Sequence, residues 1–120
     1  IVLATNDTPV NDAIDEMNRQ RCGATVIRDQ DGHLTGIFTH GDFARSYRDD
    51  SFDGNAAIVN FMTHNPISVR REACARDVLE LFEQHRIEDL VVVDAQATPV
   101  GIIDLQDISR LGFLAGGDES

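Results

Sequence analysis

The chain has 120 residues, 42% of them hydrophobic, a length and balance that suit one compact domain with a core of its own. Ten basic residues against 21 acidic ones leave a formal net charge of −11 at pH 7, which repels the phosphate backbone of nucleic acids and the surface of anionic membranes. Every basic residue is an arginine, so this chain has no lysine for a Schiff base or a phosphate loop.

Cys22 and Cys74 lie far apart without metal-ligand spacing and read as reduced, half-buried thiols of a cytoplasmic protein. No apolar run approaches the roughly 18 residues that span a bilayer, and no signal peptide is visible. The chain begins at Ile1 rather than Met and reads as a piece of a larger protein.

The sequence repeats itself without a gap at an offset of 65 positions. Arg21 meets Arg86, Val26 meets Val91, Gly36-Ile37 meets Gly101-Ile102, Asp42 meets Asp107 and Arg45 meets Arg110. Each copy predicts strand, helix, strand, strand, helix. The first strands are Ile1–Leu3 and Ile67–Val69. The helix of copy one carries Val10, Ala13, Ile14 and Met17 on one face, with Thr8 as N-cap and Pro9 as first helical residue, and ends near Cys22-Gly23. Ala75, Val78, Leu79 and Phe82 repeat that face in copy two, where the helix ends near Arg86.

Strands follow at Ala24–Arg28 and Leu90–Val93, then polar turns, with Asp31-Gly32 a hairpin signal. The third strands are Leu34–Phe38 and Val100–Ile103. A short helix with Phe43 closes copy one, and one with Ile108 and Leu111 closes copy two. Residues 1–47 form the first repeat, 48–62 a linker with a short helix at Ala56–Met62, 63–114 the second repeat and 115–120 a frayed tail. At under 60 residues neither copy buries its sheet alone, so the two pack into one pseudo-symmetric domain.

The candidate site is Gly36-Ile-Phe-Thr39-His40-Gly41-Asp42, where the third strand meets the helix. A helix N-terminus presents free N–H groups and a positive dipole end that suit an anion. The Thr39 hydroxyl can donate to a phosphate, and the Asp42 carboxylate can accept from paired hydroxyls such as those of a ribose. The same two residues can instead simply cap the helix.

Two strand–helix–strand–strand–helix copies with this junction resemble the CBS-domain pair over Ile1 to about Leu114. The implied fold class is α+β, with tandem pseudo-two-fold βαββα repeats. The ligand signature of that family is Gly, two apolar residues, Thr or Ser, two residues, then Asp, and copy one matches it through Gly36, Thr39 and Asp42. The resemblance implies a nucleotide ligand, its phosphate on Thr39 and its ribose on Asp42, with Thr63, Asn65, Pro66 and Ile67 lining the base and His40 and Gly41 at the border. Arg45 either neutralises phosphate or forms a surface ion pair, the latter preferred.

Copy two carries Asp104 in place of Thr or Ser, which repels phosphate, so its site is expected to be empty, structural or limited to Asp107. The order of segments further resembles the C-terminal CBS pair of arabinose-5-phosphate isomerases, enzymes of Kdo biosynthesis. That implies an upstream sugar-isomerase domain, an adenine or cytidine nucleotide or nucleotide-sugar ligand, and a homodimer through helix faces. The competing expectation is a structural or oligomerisation module with no ligand. His33, His40, His64 and His85 show no metal-ligand spacing, and no catalytic constellation stands out.

Overall fold

A computed structural model describes residues 1–48 and 52–107. It contains β1 (Val2–Ala4), α1 (Val10–Gln20), β2 (Ala24–Arg28), β3 (Leu34–Thr39) and α2 (His40–Tyr47). After a 3-10 turn at Ile58–Asn60 come β4 (Thr63–His64), β5 (Ser68–Arg70), α3 (Ala75–His85), β6 (Asp89–Val93) and β7 (Pro99–Asp104). Residues 105–107 begin a further helix. The expected apolar positions Ile108 and Leu111, together with Arg110 and the tail, lie outside the described residues, as do Asp49 and Asp50 of the linker.

The repeat governs the backbone pairing. In one sheet, ordered β1-β2-β3-β4, Leu3 pairs with Val26 and Val26 with Ile37. In the other, ordered β5-β6-β7, the equivalent Ser68 pairs with Val91 and Val91 with Ile102. The register slips at the same place in both, between Ile27 and Arg28 and between Val92 and Val93. The helix C-caps Arg21 and Arg86 are both left-handed, with φ of 56° and 52°. The turns after β2 and β6 also correspond, with positive φ at Gly32 and Ala97.

Side chains alternate across a strand, so β2 feeds two cores. Ile27 packs with Val10, Ala13, Met17 and Phe38 under α1. Val26 and Ala24 point the other way and join Ile37, Val91 and Val93, the apolar layer that binds the two copies together. A third cluster, Val78, Phe82 and Leu90, lies under α3. The Thr25 hydroxyl is fully buried and has no hydrogen-bond partner among the described residues.

Several local expectations need correction. Pro9, not Thr8, is the N-cap of α1; the Thr8 hydroxyl instead accepts from the Thr5 N–H at 3.1 Å. The first strand of each copy starts one residue later than expected, and α1 stops at Gln20 because Arg21 turns left-handed. Ala75 and Leu79 are exposed, so α3 buries a narrower stripe than α1. The linker helix reduces to the 3-10 turn. Cys22 is half-buried as expected, but Cys74 is exposed, and both are free. Among the described residues no helix is long and apolar enough to cross a membrane.

Candidate functional site

The junction of β3 and α2 forms because Thr39 ends the strand in extended conformation while its hydroxyl turns onto the first helical turn. Thr39 Oγ1 accepts from the Asp42 N–H at 3.2 Å, and Asp42 Oδ2 accepts from the Thr39 N–H at 2.9 Å. This is a reciprocal capping box with Asp in the place usually taken by Glu. Asp42 is 5% exposed despite its charge. Its Oδ2 also accepts from the Thr39 hydroxyl at 3.2 Å, and its Oδ1 accepts from the Thr63 hydroxyl at 3.0 Å and pairs with Arg45. The capping alternative and the placement of these residues at a cleft therefore hold together. The preferred ion pair of Arg45 is present, and its partner is the signature carboxylate itself.

Thr63 reaches Asp42 because β4 pairs with β3, Ile37 opposite Thr63 and Gly36 opposite His64. Asn65 continues this contact by donating its N–H to Thr35 O at 3.1 Å, with a left-handed φ of 49° that turns the chain toward Pro66. A side chain at Gly36 would force Met62 to shift. A Cβ on it would lie 2.9 Å from Met62 Cγ and closer still to the sulfur.

A cleft of about 580 Å³ opens at this junction, within the ~300–1,000 Å³ usual for small-molecule sites. Thr39, His40, Gly41, Asp42, Arg45, Thr63, Asn65, Pro66 and Ile67 all line it, whereas Asp107, also a sequence candidate, does not. The opposite wall comes from copy two and was not anticipated: Arg86, Ile87, Glu88, Asp89 and Asp104. Asp104 thus lines the same cleft as Thr39. Its Oδ1 accepts from the Gln106 N–H at 2.7 Å, two residues on, where Thr39 Oγ1 accepts from the N–H three residues on. The repeat held the missed signal, since Asp89 pairs with Asp104 as Ala24 pairs with Thr39.

Two carboxylates directly opposite each other on paired strands repel. Burial, then Asp104, Glu88 and Asp42, push the Asp89 carboxyl up to about 6, while His40 pulls it down. The cleft is therefore two-sided, with the helix terminus and Arg45 on one wall and an acidic wall opposite.

Of the other histidines, His64 Nε2 lies 3.0 Å from Val59 O. His33 shares the β2–β3 turn with Asp29 and Asp31, one ligand atom from each lying within 4.8 Å of the others, a grouping that residue spacing did not suggest. Asp29 Oδ1 is already taken there by the N–H groups of Asp31 and His33, each at 2.9 Å.

The CBS domain profile matches residues 1–49 and 58–113. The chain belongs to the CBS domain family. The CBS domain pair of MJ0100, in complex with 5'-methylthioadenosine and S-adenosyl-L-methionine, is similar at a TM-score of 0.81 and 26% identity, covering 92% of this chain and 89% of that one. PAE2072 of Pyrobaculum aerophilum, complexed with AMP, has the same fold at a TM-score of 0.80 and 19% identity, covering 88% of this chain and 81% of that one. Arabinose 5-phosphate isomerase KdsD of Pseudomonas aeruginosa is 37% identical over 107 residues, 89% of this CBS pair and 33% of that protein. The KdsD of Francisella tularensis is 35% identical over 102 residues, 85% of this chain and 31% of that protein. The chain thus spans about a third of the length of these curated relatives.

Proposed function

We propose that this CBS pair is a regulatory module that holds an adenosine- or cytidine-type nucleotide or nucleotide-sugar in the cleft between its copies. In a longer chain it would pass that occupancy to a sugar-phosphate isomerase domain. The observation that carries the reading is the junction of Thr39 and Asp42 with Thr63–Ile67 around one cleft of ligand size. The relatives complexed with AMP and with S-adenosyl-L-methionine support the ligand class, and the KdsD relatives support the isomerase partner and a role in Kdo synthesis.

The four hydrogen-bonding positions of the Asp42 carboxylate are occupied by Thr39 (twice), Thr63 and Arg45. A ribose needs one of them, and Arg45, with a side chain 68% exposed, is the partner that leaves at least cost. Once released, its guanidinium is free to meet the phosphate at the start of α2. Regulation then requires only that the ligand prefer one arrangement of module and isomerase over another.

A thermal-shift series of adenosine, AMP, CMP and CMP-Kdo tests the proposal. A rise in Tm with at least one of them is expected, and no shift at millimolar ligand counts against it.

A second reading, an oligomerisation module, is favoured by one surface. Phe43, Tyr47, Phe52 and Phe61 form a chain of ring contacts beside α2, with centroids 5.3 to 6.1 Å apart; the three phenylalanines are half-buried against the core, and Tyr47 is 71% exposed at the surface. Light scattering separates the two: a dimer that ignores every nucleotide supports the second, and a monomer removes it.

A further inference from the structure

Asp89 differs from the other carboxylates of the cleft. Asp42 already serves Thr39, Thr63 and Arg45, Asp104 takes the Gln106 N–H, and Glu88 is exposed to water. Asp89 is half-buried, and among the described residues no hydrogen-bond donor reaches its carboxylate. The fold does not ask for it. In copy one Ala24 starts the equivalent strand and pairs with Thr39 as Asp89 pairs with Asp104. A carboxylate that the backbone can do without, half out of water and opposite a second one, lowers stability, and such groups gather at binding sites.

We infer that Asp89 selects the base of the ligand: it accepts from the exocyclic amine of cytosine or adenine and turns away the carbonyl that uracil or hypoxanthine carries in its place. The inference rests on the nucleotide reading above and adds its base specificity. In that reading the phosphate and the ribose both lie on the copy-one wall, at Thr39 and Asp42. The base is left with Ile37, Pro66, Ile67 and Ile87 and with the carboxylates of copy two. The four apolar side chains suit the flat faces of a ring, and its polar edge then meets Asp89.

A charged carboxylate has acceptors only. It pairs with an amino N–H and repels a carbonyl oxygen. The ring N–H of an oxo base sits beside that carbonyl, so a carboxylate that reaches the one also meets the other. Asparagine offers a donor beside an acceptor and serves both kinds of base. A protonated Asp89 has the same dual character. Burial, then Asp104 from β7, the adjoining Glu88 and Asp42 from α2, push its carboxyl up to about 6, against His40 at the start of α2. Arg45 and Arg86 are the fixed positive charges of the lining. The preference for an amino base is therefore full at pH 7.5 and fades as pH falls below 6.

Calorimetric titration of the chain with CMP, UMP, AMP and IMP at pH 7.5 is the test. In whichever pair binds, CMP should bind more tightly than UMP, and AMP than IMP, by about tenfold or more, the size of one mispaired charged hydrogen bond. Asp89→Asn should bring the ratio close to one while CMP or AMP still binds. Glu88→Gln removes the same charge from the neighbouring residue and should leave the ratio as in the unaltered chain. At pH 5 the ratio of the unaltered chain should also approach one, whereas that of Asp89→Asn should not change with pH even though His40 titrates. Equal binding of amino and oxo bases by the unaltered chain at pH 7.5 overturns the inference and leaves the nucleotide reading standing. A ratio that Asp89→Asn does not move, or that Glu88→Gln moves as far, does the same. Binding of none of the four overturns the nucleotide reading, and this inference with it.

Discussion

Asp42→Ala is the perturbation whose size follows most directly from the geometry. The carboxylate takes the Thr39 N–H at 2.9 Å, the Thr39 hydroxyl at 3.2 Å and the Thr63 hydroxyl at 3.0 Å, while itself 5% exposed. Alanine removes half of the capping box, worth about 1 kcal/mol. It also removes the bond to β4, worth about 1 kcal/mol or somewhat more because the acceptor is charged. The Arg45 pair adds little, since that guanidinium is largely in water. The Thr63 hydroxyl is exposed and recovers water, which limits the cost. The total is about 2–3 kcal/mol, or a fall in Tm of roughly 8–12 °C for a chain of this size. Thr63→Ala, which loses one of these bonds, should cost about a third as much. Calorimetry or urea titration reads both. A Tm within about 2 °C of wild type for Asp42→Ala would refute the claim that this carboxylate fastens the helix start to the segment entering copy two.

Three further outcomes follow from the same structure. Gly36→Ala should destabilise by about 1–3 kcal/mol through overpacking against Met62, while Gly101→Ala in this 120-residue chain should be neutral or slightly stabilising; equal effects by urea titration would contradict the asymmetry. Thr25→Val replaces a buried hydroxyl that has no partner among the described residues with a methyl group of similar shape and should raise stability by about 1 kcal/mol, measured in the same way.

Asp89 titrates near 6, above the 3.8 of a free carboxyl, so its protonated form is favoured in the folded state. It lowers stability progressively as pH rises from about 4 to 6 and leaves the full penalty above that. Asp89→Asn should therefore raise Tm at pH 7.5 and leave it nearly unchanged at pH 4; an equal rise at both would show that Asp89 is not strained by its neighbours.

The repeat made most of the fold legible. Matching apolar positions and the shared Gly-Ile pair foretold which strands correspond, and the structure repeats their pairing residue for residue. Helix starts were less legible because capping depends on a side chain's reach: Thr8 turns back to Thr5, while Thr39 folds onto Asp42. The narrower buried stripe of α3 reflects what lies beneath it, which the 3.6-residue period of Leu79 does not encode.

Half of the cleft was visible locally, because Thr39, Asp42 and the segment Thr63–Ile67 lie close to strand ends with recognisable turn chemistry. The acidic wall was not, since only the packing of one sheet on the other, through Val26, Ile37, Val91 and Val93, brings Asp89 and Asp104 opposite Thr39. Asp107 holds the signature position in copy two, and the cleft at the copy-one junction is not lined by it.

The most direct measurement is amide chemical-shift mapping of the unaltered chain with adenosine, AMP and CMP. Binding between the copies predicts saturable shifts at Gly23, Gly41, Asn65 and Glu88, which line the cleft from both halves, and none at the far turn of Asp29–Asp31. Shifts confined to one copy, or no saturable shift with any of the three, would contradict it.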